Sequence, residues 1–410
     1  MESIFEGGLF NPELWKYISI PFIAGLVGWV TNWLAIKLTF FPVEFVGPKH
    51  PWLGWQGIVP RSYKKMATIC VDTTMSKLGT LSDIIESLEP KKLIDRMLQT
   101  FMPKVEDIVD NMMRKEKPVL WDNLPKAARK KVYNHVKEQL PKRVDAIVTD
   151  FQRDADQLVD LKQMVVYELG KNKQLLNRIF LESGSSEFKF IVNSGLYFGA
   201  IFGVIQMFVW YFYQAWWILP FFGLLVGYVT NWIALNIVFR PLNPIKIGPF
   251  VIQGIFLKRQ KEVSKAWCDI VAHELLTIEN FSNALLEGPQ KHQTRQLIDK
   301  HIRSLLDESL ALKTIAQLAM GPTGYANLKD NMTEIAVEYS KAPFKDKNFN
   351  DGRAELVSNM IRERMEVLSP EEFQGVLRPA FQEDEWMLIL AGGILGCMAG
   401  FAQLVFIFGG

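Results

Sequence analysis

An internal duplication constrains the fold of this chain more than any other feature of its sequence. The segment 21–35, PFIAGLVGWVTNWLA, recurs at residues 220–234 as PFFGLLVGYVTNWIA. In both copies a Phe-x-Pro follows, and then Gln-Gly-Ile at residues 56–58 or 253–255. Repetition of this kind indicates two copies of one structural unit. The sequence therefore predicts two tandem repeats, residues 1–212 and residues 213–410.

Four apolar stretches are each long enough to cross the ~30 Å hydrocarbon core of a membrane at about 1.5 Å per residue. They lie at residues ~14–36, ~193–213, ~216–239 and ~387–408. Two polar blocks, ~43–190 and ~241–385, have apolar residues at spacings of three and four, which predicts helices. Residues 369–372, Ser-Pro-Glu-Glu, mark one helix start. Strand signals are absent, so the sequence predicts an all-α membrane protein with four transmembrane helices.

Charged residues predict how the repeats cross the membrane. Lys and Arg cluster where the apolar stretches meet the polar blocks, whereas residues 211–220, between the second and third stretches, carry no charge. By the positive-inside rule, both blocks are cytoplasmic and both chain termini lie outside. Each repeat then consists of a span, a helical cytoplasmic block and a second span, with the same orientation in the membrane. This arrangement predicts a pseudo-two-fold axis along the membrane normal.

Small and polar residues recur at matched positions in the four apolar stretches. Stretches one and three share Gly-x-x-Thr-Asn, and stretches two and four share a glycine series that ends in glutamine. Small residues let helices pack closely, and an amide in an apolar span needs a hydrogen-bond partner. Two interpretations remain open, namely helix packing with interhelical hydrogen bonds, or a polar substrate site or pore lining. The residues are Gly28, Thr31, Asn32, Gly199, Gly203, Gln206, Gly227, Thr230, Asn231, Gly396, Gly400 and Gln403.

The segment after spans one and three is the strongest candidate for contact with a ligand. In both copies, Gln-Gly-Ile leads into an amphipathic helix with basic residues three positions apart. Beside the inner leaflet, such residues bind anionic lipid head groups, at about 1 kcal/mol per Lys or Arg. The alternative is an ordinary positively charged flank. The predicted contact residues are Gln56, Arg61, Lys64, Gln253, Lys258 and Lys261.

The sequence carries no signature of catalysis or metal binding. It lacks Gly-x-Ser-x-Gly, a Walker loop, His-Glu-x-x-His and Cys-x-x-Cys. Its three cysteines are widely separated and predict neither a disulfide framework nor paired metal ligands. With 46 Lys and Arg against 44 Asp and Glu, the chain is not basic enough to indicate nucleic-acid binding. We therefore predict that it is not an enzyme, has no cofactor or metal and binds no nucleic acid.

Several motifs together resemble one known family. They are the paired Gly-x-x-Thr-Asn-Trp spans, the Gln-Gly-Ile turns, residues 176–180 (LNRIF) and the ending from Leu368 to Gln403. The chain resembles, over nearly its whole length, the widespread bacterial membrane-protein family of unknown function that includes YheB and YjiN. The resemblance implies an inner-membrane protein with large helical cytoplasmic parts, and it supplies no catalytic residue.

Two functions remain open on the sequence alone. The first is a non-enzymatic scaffold or organiser of the inner membrane, whose cytoplasmic body engages membrane lipids or a cytoplasmic protein partner. The second is a lipid-handling or small-solute transporter or channel built on the pseudo-two-fold axis. Because four spans are few for a transporter, the second function would require a homo-oligomer.

Overall fold

A computed structural model describes residues 12–49, 53–308, 310–340, 346–378, 382 and 385–407. Among these residues, four helices are long and apolar enough to cross a membrane: Tyr17–Phe40, Ser185–Phe212, Ile218–Phe239 and Glu385–Phe406. They belong to α1 (Pro12–Phe40), α12 (Ser185–Phe212), α13 (Ile218–Phe239) and α21 (Glu385–Ile407). The prediction of a largely helical membrane protein with four spans is thereby confirmed. The sequence also predicts on which side of the membrane the two termini lie, but residues 1–11 and 408–410 are outside the described residues.

The chain divides into two compact units. The first combines the described residues of Met1–Thr73, Leu169–Trp267 and Arg364–Gly410, and the second combines Thr74–Glu168 with Cys268–Glu363. Each unit therefore draws on both halves of the sequence, and the predicted division at residue 212 is not the division between the units. The repeat organisation itself stays a prediction.

The first unit is built around the four membrane helices. Helix α1 packs along α12, and α13 packs along α21, while α12 also contacts α13. Large apolar side chains on all four helices, such as Phe22, Phe208, Trp232 and Phe406, are exposed. Outward apolar side chains are what lipid tails require of a membrane helix. The shorter helices of this unit are α2 (Ile58–Arg61), α11 (Lys173–Ser183), α14 (Ile255–Lys258) and α20 (Pro370–Leu377).

Helix α20 begins where the sequence predicts a helix start. The Ser369 hydroxyl accepts a hydrogen bond from the Glu372 backbone N–H, and the Glu372 carboxylate accepts one from the Ser369 N–H. This reciprocal capping satisfies two backbone groups that a helix otherwise leaves without partners. Phe373, fully buried, then anchors the helix in the core of the first unit.

Strands occur where the sequence predicts none. The described ranges contain two short antiparallel hairpins, one of β1 (Val46–Lys49) and β2 (Leu53–Trp55), the other of β3 (Ile245–Ile247) and β4 (Phe250–Ile252). The prediction was wrong because strands of three or four residues are too short to show alternation. In the second hairpin, Gly248 adopts a positive φ of 61°, which favours glycine at a tight turn.

The second unit is a helical bundle with a shared core. Its helices are α4 (Leu81–Ser87), α5 (Pro90–Phe101), α6 (Val105–Glu116), α7 (Pro118–Asp122), α8 (Lys126–Arg153), α9 (Ala155–Leu158), α16 (Ile278–Glu287), α17 (Lys291–Asp307) and α18 (Leu310–Ser340). Met112 of α6, Ile302 of α17 and Leu328 of α18 lie in one buried cluster. Both polar blocks of the sequence therefore contribute to a single core.

Four further helices contribute residues to both units. They are α3 (Tyr63–Lys77), α10 (Leu161–Lys171), α15 (Gln260–Glu274) and α19 (Lys347–Glu366). A 3-10 turn, Met102–Lys104, joins α5 to α6. Helix α18 is kinked at Gly321, which has a φ of 74° and precedes Pro322. A proline lacks the N–H that a continuous helix needs, so the kink has a local cause.

Candidate functional site

Glycines bring the backbones of the membrane helices into direct contact. A Cβ atom added to Gly28 of α1 would lie closer than 3.0 Å to the backbone of Gly195 in α12. The same holds for Gly227 of α13 against Gly392 in α21. No larger residue fits at these positions, as expected for close packing of small residues between membrane helices. Four other predicted glycines are equally enclosed by neighbouring backbone: Gly199, Gly203, Gly396 and Gly400.

The two intramembrane asparagines connect the same pairs of helices. Both side chains are fully buried. The Asn32 amide donates a hydrogen bond of 2.8 Å to the Ile191 carbonyl of α12, and the Asn231 amide donates one of 3.2 Å to the Leu388 carbonyl of α21. The neighbouring threonines bond within their own helices instead, since the hydroxyls of Thr31 and Thr230 lie 3.1 and 3.5 Å from the carbonyls of Gly28 and Gly227.

We expect Asn231→Leu to destabilise the pairing of α13 with α21. The variant loses an interhelical hydrogen bond, which is worth about 0.6–2 kcal/mol in a membrane. Thermal unfolding of the purified protein in mild detergent measures the effect. Asn236→Leu is the control, because the Asn236 amide bonds to Trp232 in the same helix. Equal stability of the two variants would contradict a structural role for Asn231.

The two intramembrane glutamines face a very small cavity. Gln206 and Gln403 are buried and line a cavity of about 10 Å³ together with Thr31 and glycines of α1, α13 and α21. A cavity of this volume holds about one water molecule. The Nε2 of Gln403 has no partner among the described residues. The space therefore suits one hydrogen-bonding water and is too small for a hydrated solute.

The Gln-Gly-Ile motif closes the loop that follows span one. The Gln56 side-chain amide donates a hydrogen bond of 2.8 Å to the Val43 carbonyl, and the Gly57 N–H donates one of 2.9 Å to the Pro42 carbonyl. The amide N–H of the glutamine is thus engaged within the chain. In the second copy, the same bonds run from Gln253 to Leu242 at 3.0 Å and from Gly254 to Pro241 at 3.0 Å.

Each closed loop contains a hairpin whose apolar side chains are exposed on the protein surface. The hairpin after α1 exposes 63% of Val46, together with Leu53 and Trp55, and the hairpin after α13 exposes 72% of Phe250, together with Val251. Exposed apolar side chains at the end of a membrane span suit the boundary between lipid head groups and acyl chains. Neither hairpin is predicted above, although the apolar residues on either side of Gly248-Pro249 are a usable sequence signal for a turn between two strands.

Basic side chains accompany both hairpins. Arg61 and Lys64 are exposed after the first hairpin, as are Lys258 and Lys261 after the second. Lys258 of α14 also contacts strand β4 of the second hairpin, since its Nζ donates a hydrogen bond of 2.9 Å to the Val251 carbonyl. The predicted basic residues and the exposed apolar residues therefore lie in the same short segments.

A partly buried ion pair, between residues that no sequence motif marks, lies near the second hairpin. Arg259 Nη1 lies 2.9 and 3.0 Å from the two carboxylate oxygens of Glu187, at the beginning of α12. The Glu187 side chain is only 4% exposed, and Arg259 Nε also contacts Glu262 at 2.7 Å. The pair joins the second post-span segment to a membrane helix of the first half of the chain.

Two features of the described residues concern metal ligands and one cysteine thiol. Within the ranges that the structure covers, no group of three or more His, Cys, Asp or Glu side chains could hold a metal ion. Burial raises the pKa of the Cys70 thiol to about 12, so this group is protonated at neutral pH.

The chain is similar to bacterial membrane proteins of the UPF0754 group. It is 31% identical over 97 residues to a UPF0754 membrane protein of Staphylococcus epidermidis, covering 23% of this chain and 26% of the relative. It is 33% identical over 91 residues to those of a Nostoc species and of Microcystis aeruginosa, covering 22% of this chain and 20% of each relative. The protein is a membrane protein.

These matches are partial, since the chain spans about a quarter of the length of the curated relatives it matches, or less. No family model and no solved structure matches the chain. The narrower resemblance to YheB and YjiN therefore stays a prediction, as does the bacterial inner membrane as the location.

Proposed function

We propose that this protein is a non-enzymatic, multi-pass scaffold of the bacterial inner membrane, which holds a helical cytoplasmic body against lipid of the inner leaflet. The observation that carries the proposal is the pair of exposed apolar hairpins, each followed by exposed basic residues. Each hairpin directly follows a membrane span, which brings its side chains to the surface of the bilayer. Apolar anchoring and attraction to anionic head groups then act at the same place.

The proposal includes the tandem, parallel arrangement of two repeats, with both polar blocks in the cytoplasm and both termini outside. Matched local geometry supports it. Asn32 and Asn231 bond to a partner helix in the same way, and Gln56 and Gln253 each close the loop after their own span. Two hairpins on the same side of the membrane would give the protein two anchoring points for the inner leaflet.

We expect removal of the basic residues to reduce the preference for anionic lipid. In the variant with Arg61, Lys64, Lys258 and Lys261 changed to Gln, four contacts of about 1 kcal/mol each are lost. Preference for phosphatidylglycerol over phosphatidylcholine should fall at least about tenfold, since each 1.4 kcal/mol is a factor of ten. Native mass spectrometry of the protein released from nanodiscs of mixed composition counts the retained lipids.

The matched control removes the same number of charges from the helical bundle, by changing Lys117, Lys126, Lys130 and Lys131 to Gln. All four are exposed. The control variant should keep its preference for phosphatidylglycerol. If both variants retain the anionic lipid equally, the basic residues are an ordinary positive flank and the proposed contact is wrong.

A transporter or channel along the pseudo-two-fold axis has less support. The glycines that could line a path are occupied by helix contacts, and Gln206 and Gln403 share a cavity of only about 10 Å³. A homo-oligomer or a cytoplasmic protein partner is compatible with the scaffold and is part of the proposal. Co-purification in mild detergent, with identification of the retained proteins, tests for both.

A further inference from the structure

The helical bundle of the second unit contains a large, partly open apolar cavity. Its volume is about 250 Å³, and its walls come from helices α4–α6, α8, α9 and α16–α18. Aliphatic and aromatic side chains make up most of the lining, including Leu88, Met97, Val148, Phe281 and Ala336. Native protein interiors contain few voids larger than a water molecule. A cavity of this size in the bundle therefore indicates a ligand-binding site.

The size and the lining together define the kind of ligand. An apolar cavity of about 150 Å³ in another protein stays dry and binds benzene or xenon, whereas sites for drug-sized molecules measure about 300–1,000 Å³. The volume of this cavity, about 250 Å³, lies between those two values. Among the described lining residues, uncharged polar side chains are few: Gln152, Ser282, Tyr339 and Ser340. One flexible hydrocarbon chain fits these requirements, and two chains side by side do not.

One charged group lies at the cavity. Of the described residues that line it, Arg143 of α8 alone is charged. Its side chain is only 16% exposed, and its guanidinium forms an ion pair with Glu308, whose side chain is 45% exposed. The Nε of Arg143 is buried and has no hydrogen-bond partner among the described residues. A buried N–H without an acceptor is costly, and an anionic oxygen would satisfy it.

We propose that this cavity binds one long-chain fatty acid, with the hydrocarbon chain among the apolar walls and the carboxylate on Arg143. The site is separate from the membrane contact proposed above, because it uses none of the hairpin or post-span residues. Fatty-acid binding in this cavity therefore does not depend on the scaffold function.

Titration of the full-length protein in nanodiscs with palmitate tests the proposal, with bound ligand counted by native mass spectrometry. One palmitate per chain is expected. Ala336→Phe fills the cavity and should reduce palmitate binding at least tenfold, while leaving the melting temperature unchanged or higher. Val119→Phe is the control, because Val119 is exposed on α7 and does not line the cavity.

The role of Arg143 is tested with a neutral ligand of the same length. Arg143→Gln should weaken palmitate binding about tenfold and leave hexadecanol binding unchanged, whereas Arg143→Lys should restore part of the palmitate affinity. This comparison remains informative if Ala336→Phe does not fold. The proposal is overturned if no palmitate binds, if Ala336→Phe and Val119→Phe bind it equally, or if phosphatidylglycerol displaces palmitate from the site.

Discussion

Replacement of Arg259 by methionine is expected to lower the free energy of unfolding by up to about 3 kcal/mol, the lower end of the cost of breaking a buried ion pair, because the Arg259 side chain is 27% exposed. The Glu187 carboxylate is buried and accepts two hydrogen bonds from Arg259. Without the guanidinium, a buried negative charge loses its main partner. Thermal or denaturant unfolding in mild detergent measures the change.

Two further variants show whether the pair itself is responsible. Glu187→Leu combined with Arg259→Met removes both charges and should recover most of the lost stability, because replacing a buried ion pair by apolar residues is often neutral. Lys261→Met, at an exposed position of the same segment, should stay within about 0.5 kcal/mol of the wild type. A loss for Arg259→Met no larger than that for Lys261→Met would refute the assigned role.

Gly396→Ala is expected to lower stability by about 1–3 kcal/mol, as overpacking of a tight interface does. The added Cβ would lie closer than 3.0 Å to the Gly223 carbonyl oxygen of α13, and the backbone cannot move aside without separating the helices. Unfolding in mild detergent, followed by circular dichroism, reports the loss.

Gly393→Ala is a closely matched control in the same helix. Its Cβ would lie 3.6 Å from Leu224 O and from Tyr228 Cβ, an ordinary van der Waals distance. Since alanine is a better helix former than glycine, this variant should be neutral or slightly more stable. If Gly393→Ala destabilises the protein as much as Gly396→Ala does, the glycine contacts do not explain the helix pairing.

The sequence was sufficient to predict the four membrane helices and the start of the shorter helix α20. A membrane span is defined by length and composition, and both are local properties of the sequence. The start of α20 was equally predictable, because the Ser369 cap depends on residues three positions apart. The spacing of Gly28, Thr31 and Asn32 also singled out a face of α1, and that face contacts α12.

Other features depend on residues that are distant in the sequence. Glu187 and Arg259 are each unremarkable members of a charged segment, and only the fold brings them together. The apolar cavity is lined by residues between Ile85 and Ser340, and a void leaves no pattern in the sequence of its walls. The hairpins were missed for a different reason, since each strand is shorter than the window that reveals alternation.

The interleaving of the two sequence halves within the helical bundle has a consequence for biosynthesis. Residues 74–168 leave the ribosome well before residues 268–363, which complete the same compact unit. At roughly 5–20 residues per second, the interval is on the order of 10 s or more. During that time the early helices, including α5 and α6, expose apolar faces that later become interior. The nascent chain is thus an expected client of chaperones, and neither residues 74–168 nor residues 268–363 are expected to fold when produced alone.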